Sequence, residues 1–245
     1  MLWLHEKDYA MKKLHAMTAG LVMLALVAWQ AAAQPTTDSL KATKDASITN
    51  ENAGVPGDRS ERNFGDLPYL SIDTQYNGEK SHILMEFDLS TIPADAVIQK
   101  AELVMGTPLS PEVGTIASVE VRRLLRNDWV EGGKDRVAEG VSSGASWTAR
   151  YYKANGAAVA WQLPGALGAE DSAAGDAIKL PGTSATGTLE KGLDVTAHVQ
   201  AARKAQQKTV GWLLRSTNDQ INICRWASRE AADKGGPILK VTWAK

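Results

Sequence analysis

Four aromatic residues and two basic ones crowd a short central stretch: Trp147, Arg150, Tyr151, Tyr152, Lys153 and Trp161. Flat rings of this kind stack on pyranose faces, and fixed donors between them meet hydroxyl groups. Arg59 and Arg62 stand in a polar stretch further upstream. A guanidinium fork matches a carboxylate, so these arginines suit an acidic sugar. The expected ligand-binding residues are therefore Arg59, Arg62, Trp147, Arg150, Tyr151, Lys153 and Trp161. Trp147 and Trp161 have a second reading, as plugs over the end of a core, because tryptophan is highly buried on average.

Catalytic chemistry finds less support. The chain has four histidines, of which His5 and His15 lie in the N-terminal leader and His82 and His198 remain. A hydrolytic triad needs a base beside a nucleophile. His82 falls in a strand and His198 in a helical stretch. The sequence carries no His-Glu-x-x-His and no Cys-x-x-Cys pair, the usual footings of zinc chemistry. Glu86 and Asp88 share one strand face, where carboxylates are ordinarily solvated. No enzyme activity is expected. Asp45, Asp58 and Asp66 offer oxygens that calcium could use, but there is no Asp-x-Asp-x-Asp-Gly loop, and no metal or other cofactor is expected.

The compartment follows from the N-terminus. Met11-Lys12-Lys13 is a basic start, Ala16–Trp29 an uncharged apolar run, and Ala31-Ala32-Ala33 a set of small residues before Gln34-Pro35. That is the layout of a secretory signal peptide, with Met11 as its expected start. The alternative is an uncleaved anchor, although the run is short for a bilayer span. Residues 1–33 are thus read as a leader, 34–41 as a tether and 42–245 as one domain. The protein is expected to be secreted, at the cell surface, extracellular or periplasmic, with no membrane association once the leader is cut. The whole chain has 27 basic and 28 acidic residues. The leader holds three of the lysines and two of the acids, so the remainder is at −2. No basic excess marks a nucleic-acid partner. At 44% hydrophobic and 22% charged, the chain is too apolar for disorder. The single Cys224 is either a buried, inert thiol or half of an intermolecular disulfide.

The positioning elements read as strands. Ser81–Leu89 alternates Ile83, Met85, Phe87 and Leu89 against His82, Leu84, Glu86 and Asp88, the pattern of a half-buried antiparallel strand. Lys44–Thr49, Leu67–Asp73, Val97–Met105 and Ala117–Leu125 also read as strands, as do three closing segments around Trp212, Trp226 and Trp243. One short helix is expected from Ala197 to about Gln206, capped by Asp194 or Thr196. Val130–Ala145 and Gly165–Gly175 read as long loops. The expected fold is all-β, an antiparallel sandwich of jelly-roll type.

The order of motifs resembles the DNRLRE-type β-sandwich domains, related to carbohydrate-binding module family 96. The matching pieces are Asp45-Ala46-Ser47-Ile48, Asn63-Phe64-Gly65 and His82–Ser90 with Ile92-Pro93. Asp128-Trp129-Val130-Glu131-Gly132, Gly144-Ala145-Ser146-Trp147 and Leu193-Asp194-Val195-Thr196 follow. Gly211–Arg215, Trp226-Ala227-Ser228-Arg229-Glu230 and Pro237–Trp243 complete the set. They span about residues 42–243. The resemblance implies a jelly-roll-like sandwich and, for some relatives, binding of acidic polysaccharide such as alginate. The expected role is a secreted, non-catalytic module for extracellular polysaccharide or a cell-surface glycan. A structural or adhesive module is the alternative, and a polysaccharide-degrading enzyme comes third.

Overall fold

The computed structural model describes residues 34–56, 58–74, 78–110, 118–133, 144–181, 184–217 and 222–245. The expected leader lies outside them. So does the middle of the expected Val130–Ala145 loop.

The described residues form thirteen strands: β1 (Thr36–Thr49), β2 (Tyr69–Thr74), β3 (Lys80–Asp88), β4 (Val97–Val104), β5 (Pro108–Ser110), β6 (Ser118–Arg123), β7 (Ala149–Tyr152), β8 (Ala158–Ala160), β9 (Ile178–Pro181), β10 (Leu193–Asp194), β11 (Thr209–Ser216), β12 (Asn222–Ala227) and β13 (Ile238–Ala244). Two helices, α1 (Ser184–Lys191) and α2 (Thr196–Lys204), precede β10 and β11. Eleven strands form one antiparallel network, ordered β10-β4-β13-β1-β3-β11-β6-β9, with β2, β12 and β5 branching from β3. β7 and β8 form a separate hairpin.

This network is an all-β sandwich, because its two halves share one core. Leu103, Leu239 and Val241 from the β4–β13 side pack in the same cluster as Ile83, Phe87, Trp212 and Val121 from the β3–β11–β6 side. Leu70, Ile72, Cys224 and Trp226 of β2 and β12 join them. Cys224 is accordingly a buried core residue. β1 connects the halves: its first part pairs with β13, and after a register shift between Ala42 and Lys44 its second part pairs with β3. A bulge at this point bends a strand enough to pass from one layer to the other.

Two expectations are corrected by this arrangement. Residues 34–41 are not a tether, since Thr36–Lys41 is the first half of β1 and pairs residue by residue with Ile238–Trp243. Their polarity reflects a solvated outer face. The second face of β3 is not solvated either: His82, Leu84 and Glu86 are buried. The reason is a third layer. Leu124, Trp129, Ala145, Trp161 and Ala166 pack on Ala46, Ile48, Leu84 and Leu213, making a second core on the outside of the sheet. The expected Gly165–Gly175 loop is part of that layer and is tightly held. Asp171 is fully buried and accepts the backbone N–H groups of Gln162, Leu163 and Gly168 at 3.0–3.1 Å.

Two helices stand where one was expected. α2 begins at Thr196, whose N–H and hydroxyl both donate to Asp194 Oδ1 at 2.9 and 2.6 Å. Val199 and Ala202 carry its buried face into the main core. α1 was not foreseen; its Leu189 is buried, and the Leu189 carbonyl accepts the Met105 N–H at 2.9 Å. No helix among the described residues is long and apolar enough to cross a membrane.

Candidate functional site

The alternation of β2 that sends Leu70 and Ile72 inward leaves Tyr69, Ser71 and Asp73 facing out, and β12 adds Ile223 and Arg225 on the same side. The segment from Glu51 to Leu67 runs beside this face, tied to the sheet by a bridge between Phe64 and Ser47. Together they enclose a cleft of about 270 Å³ lined by Ser47, Thr49, Ser71, Ser81, Asp73 and Glu51, with Arg59, Tyr69 and Arg225. The Arg225 guanidinium lies 5.0 Å from the Tyr69 ring centre, a cation–π distance. Arg59 pairs with Glu51 at 2.7 Å and its side chain stays 43% exposed. Asp58 shapes the wall by accepting the N–H groups of Gly54 and Ser60, which hold its carboxyl below the usual range. Burial pushes the Asp73 carboxyl up, and the nearby Glu51 charge adds to this.

The seven residues expected to bind ligand do not converge. Arg59 alone among them lines the cleft. Arg62 is half-buried beside Asp58, without a hydrogen bond to its Nε. The other five belong to the third layer. Trp161 is a core residue, 4% exposed, and its Nε1 donates to the Ser146 carbonyl at 2.9 Å. Arg150 is also buried; it pairs with Asp128 and donates to the Ala160 carbonyl. Trp161 and Arg150 are therefore corrected from ligand platform to packing. Trp147 is half-buried, with its ring 4.6 Å from that of His82. Gly165, at φ +77, lies against both rings: an added Cβ would come within 2.9 Å of Trp147 and 3.1 Å of His82. Tyr151 is half-buried under the Arg150 guanidinium, and Lys153 is exposed at the hairpin turn.

His82 and His198 are both interior. His82 is fully enclosed, with Nδ1 2.9 Å from the Gly165 carbonyl, and burial lowers its pKa to about 3. Trp212 Nε1 donates to His198 Nδ1 at 3.0 Å, so His198 Nε2 carries the proton given to the Asp176 carbonyl at 2.8 Å. Neither bonds a hydroxyl nucleophile in this arrangement.

A second constellation gathers motif residues that are distant in sequence. Lys44 Nζ donates to the carbonyls of Asn127 and Trp129 at 3.0 and 2.9 Å, and Asn63 Nδ2 donates to the Glu131 carbonyl at 2.6 Å. These bonds lay Glu131 against β1, where its Oε1 accepts the Asp45 N–H at 2.7 Å. From the turn after β12, the Arg229 N–H donates to Asp45 Oδ2 at 3.0 Å, and Arg229 Nε lies 2.9 Å from Glu131 and 2.6 Å from Glu230. Asp45 is 1% exposed. Burial, with the Glu230 and Glu131 charges beside it, pushes its pKa up to about 8. Asp45 was among the calcium candidates from sequence, but the structure joins it to Glu131 and Glu230 rather than to Asp58 and Asp66.

Cleft residues Tyr69, Ser71, Asp73 and Arg225 were missed, although the polar face of β2 is plain in its alternation. Glu131 and Glu230 were visible within the motifs, but nothing local showed that they meet. No family model matches the chain, and no curated protein matches it.

Proposed function

We propose that this chain is an exported, non-catalytic module that binds extracellular polysaccharide, with the cleft on the outward face of β2 and β12 as its sugar site. The observation that carries the reading is the cleft's chemistry: two guanidinium groups and one tyrosine ring beside the hydroxyls of Ser47, Thr49, Ser71 and Ser81. Hydroxyls and a ring suit a sugar in general, while arginine forks favour one that bears a carboxylate. The Arg59–Glu51 pair is exposed enough to be worth little by itself, so exchanging Glu51 for a ligand carboxylate costs little. The resemblance to the DNRLRE-type modules points the same way.

Affinity gels and calorimetry against alginate, polygalacturonate and neutral glucans test this. Binding to an acidic polymer is expected, weakened by salt and reduced about tenfold in Arg59→Ala, a loss of one charge-assisted contact. The Arg59→Ala melting temperature should stay close to that of the parent, because the Arg59–Glu51 pair is solvent-accessible and contributes little to stability. A folded protein that binds none of these polymers would overturn the reading and favour the adhesive module. Export is tested by N-terminal sequencing of secreted protein, with a mature start at or near Gln34 expected; such a cut leaves β1, from Thr36, whole.

A further inference from the structure

Three carboxylates come together where β1, the segment through Glu131 and the turn after β12 converge. We propose that Asp45, Glu131 and Glu230 bind a calcium ion. One oxygen from each lies within 4.8 Å of the others. Two oxygens that share one calcium at 2.3–2.6 Å can stand no more than about 5 Å apart, so a single ion can reach all three.

The independent observation is an unmet demand inside the cluster. Asp45 is almost completely buried, yet its Oδ1 accepts no hydrogen bond. Glu230 Oε2 is a second buried oxygen without a donor. Leaving a buried carboxylate oxygen bare costs more than leaving a neutral acceptor bare, and here both bare atoms belong to the same group. Of the other oxygens, Asp45 Oδ2 accepts the Arg229 N–H, Glu131 Oε1 accepts the Asp45 N–H and lies against Arg229 Nε, and Glu230 Oε1 accepts from Arg229 Nε. The Asp45 and Glu230 side chains also face each other within hydrogen-bonding reach, so the two oxygens without a donor need either a shared proton or a cation between them.

Charge and donor type select the ion. Ligation ionises all three carboxylates, and against the one guanidinium of Arg229 they then carry a formal −2, which a divalent cation cancels. The donors are all hard oxygens, with no imidazole or thiolate among them, which favours calcium over zinc. Calcium also tolerates irregular oxygen geometry better than magnesium does. Access is provided by a surface depression of about 700 Å³ whose wall includes Arg229 and Glu230.

The test uses the full chain, stripped with a chelator and titrated with calcium chloride, with magnesium chloride as the comparison. Saturable calorimetric heat is expected, with a dissociation constant in the 0.1–1 mM region or tighter, roughly as in extracellular modules. The melting temperature should rise by about 5 °C at saturation and fall back on adding chelator. Magnesium at equal concentration should do clearly less. Glu230→Gln, in the surface turn, should weaken calcium binding about tenfold or more and leave the metal-free melt within about 2 °C of the parent. Asp45→Asn should abolish binding, and Glu230→Gln keeps the test valid if Asp45→Asn does not fold. Absence of heat and of any melt shift up to 10 mM calcium would overturn the site, leaving a carboxyl pair that shares a proton beside Arg229. An equal calcium response in Glu230→Gln would overturn it too.

Discussion

His82 is an ionisable ring sealed in an interior place, with Trp147 against one face and no partner for its Nε2. Burial is the main cause of its lowered pKa, and the positive charges of Arg215, Lys80 and Arg122 act in the same direction. The unfolded chain binds this proton near pH 6.5, whereas the folded protein refuses it until about pH 3. Between those values the unfolded state holds more protons, so the stability supplied by neutral His82 is complete above pH 6.5 and drains away as the solution is acidified. Each unit of pH in that window costs up to about 1.4 kcal/mol. Buried Asp73 and Glu86, whose pKa values are raised, contribute in the opposite sense, losing stabilisation as pH rises. Melting curves at pH 7, 6, 5 and 4 should therefore show a steeper fall for the parent than for His82→Gln. Parallel curves would refute the assignment. Residue type told only that His82 could titrate; its lack of water became visible only with the Trp147–Gly165 lid in place.

The excursion between β6 and β9 decides what the aromatic cluster does. Period-two alternation made β2, β3, β4, β11 and β13 legible, because a face buried in the sandwich leaves its mark on every second residue. The same signal failed on the outer face of β3. Leu84 was readable as one apolar residue among polar neighbours, but a layer built by Leu124, Trp129, Ala145, Trp161 and Ala166 covers it. Single-sequence patterning cannot register a partner that arrives from far along the chain. The β7–β8 hairpin escaped notice for another reason: its strands have four and three residues, too short to establish a period. Trp161 anchors this layer, so Trp161→Ala should cost about 3–5 kcal/mol. Trp147→Ala, which uncovers His82, should also lower the melting temperature without touching the β2–β12 cleft. Lys153→Ala should change stability by less than about 0.5 kcal/mol. Thermal and denaturant melts of the three variants separate the packing role from a platform role.

At the scale of the molecule, the fold depends on a strand that serves both layers. Removing residues 34–41 should destabilise the protein, since it strips β13 of one of its two partner strands and leaves Leu40's place against the core empty. It should also expose a bare strand edge, which invites self-association. A lowered melt and oligomers in light scattering are the expected outcome, and an unchanged monomer would contradict the pairing. The sandwich class was readable from many short alternating segments and turn residues, whereas the use of Thr36–Lys41 was not, because Thr, Asp, Ser and Lys on a solvated face look the same in a strand as in a linker. The pairing of Thr36 with Trp243 has a further geometric meaning. The two ends of the fold sit side by side, like the contacts of a plug. The domain can thus be spliced into a surface loop of a host protein with short joins at both seams, or its ends can be linked and new ones opened at an exposed turn, without pulling a strand out of register.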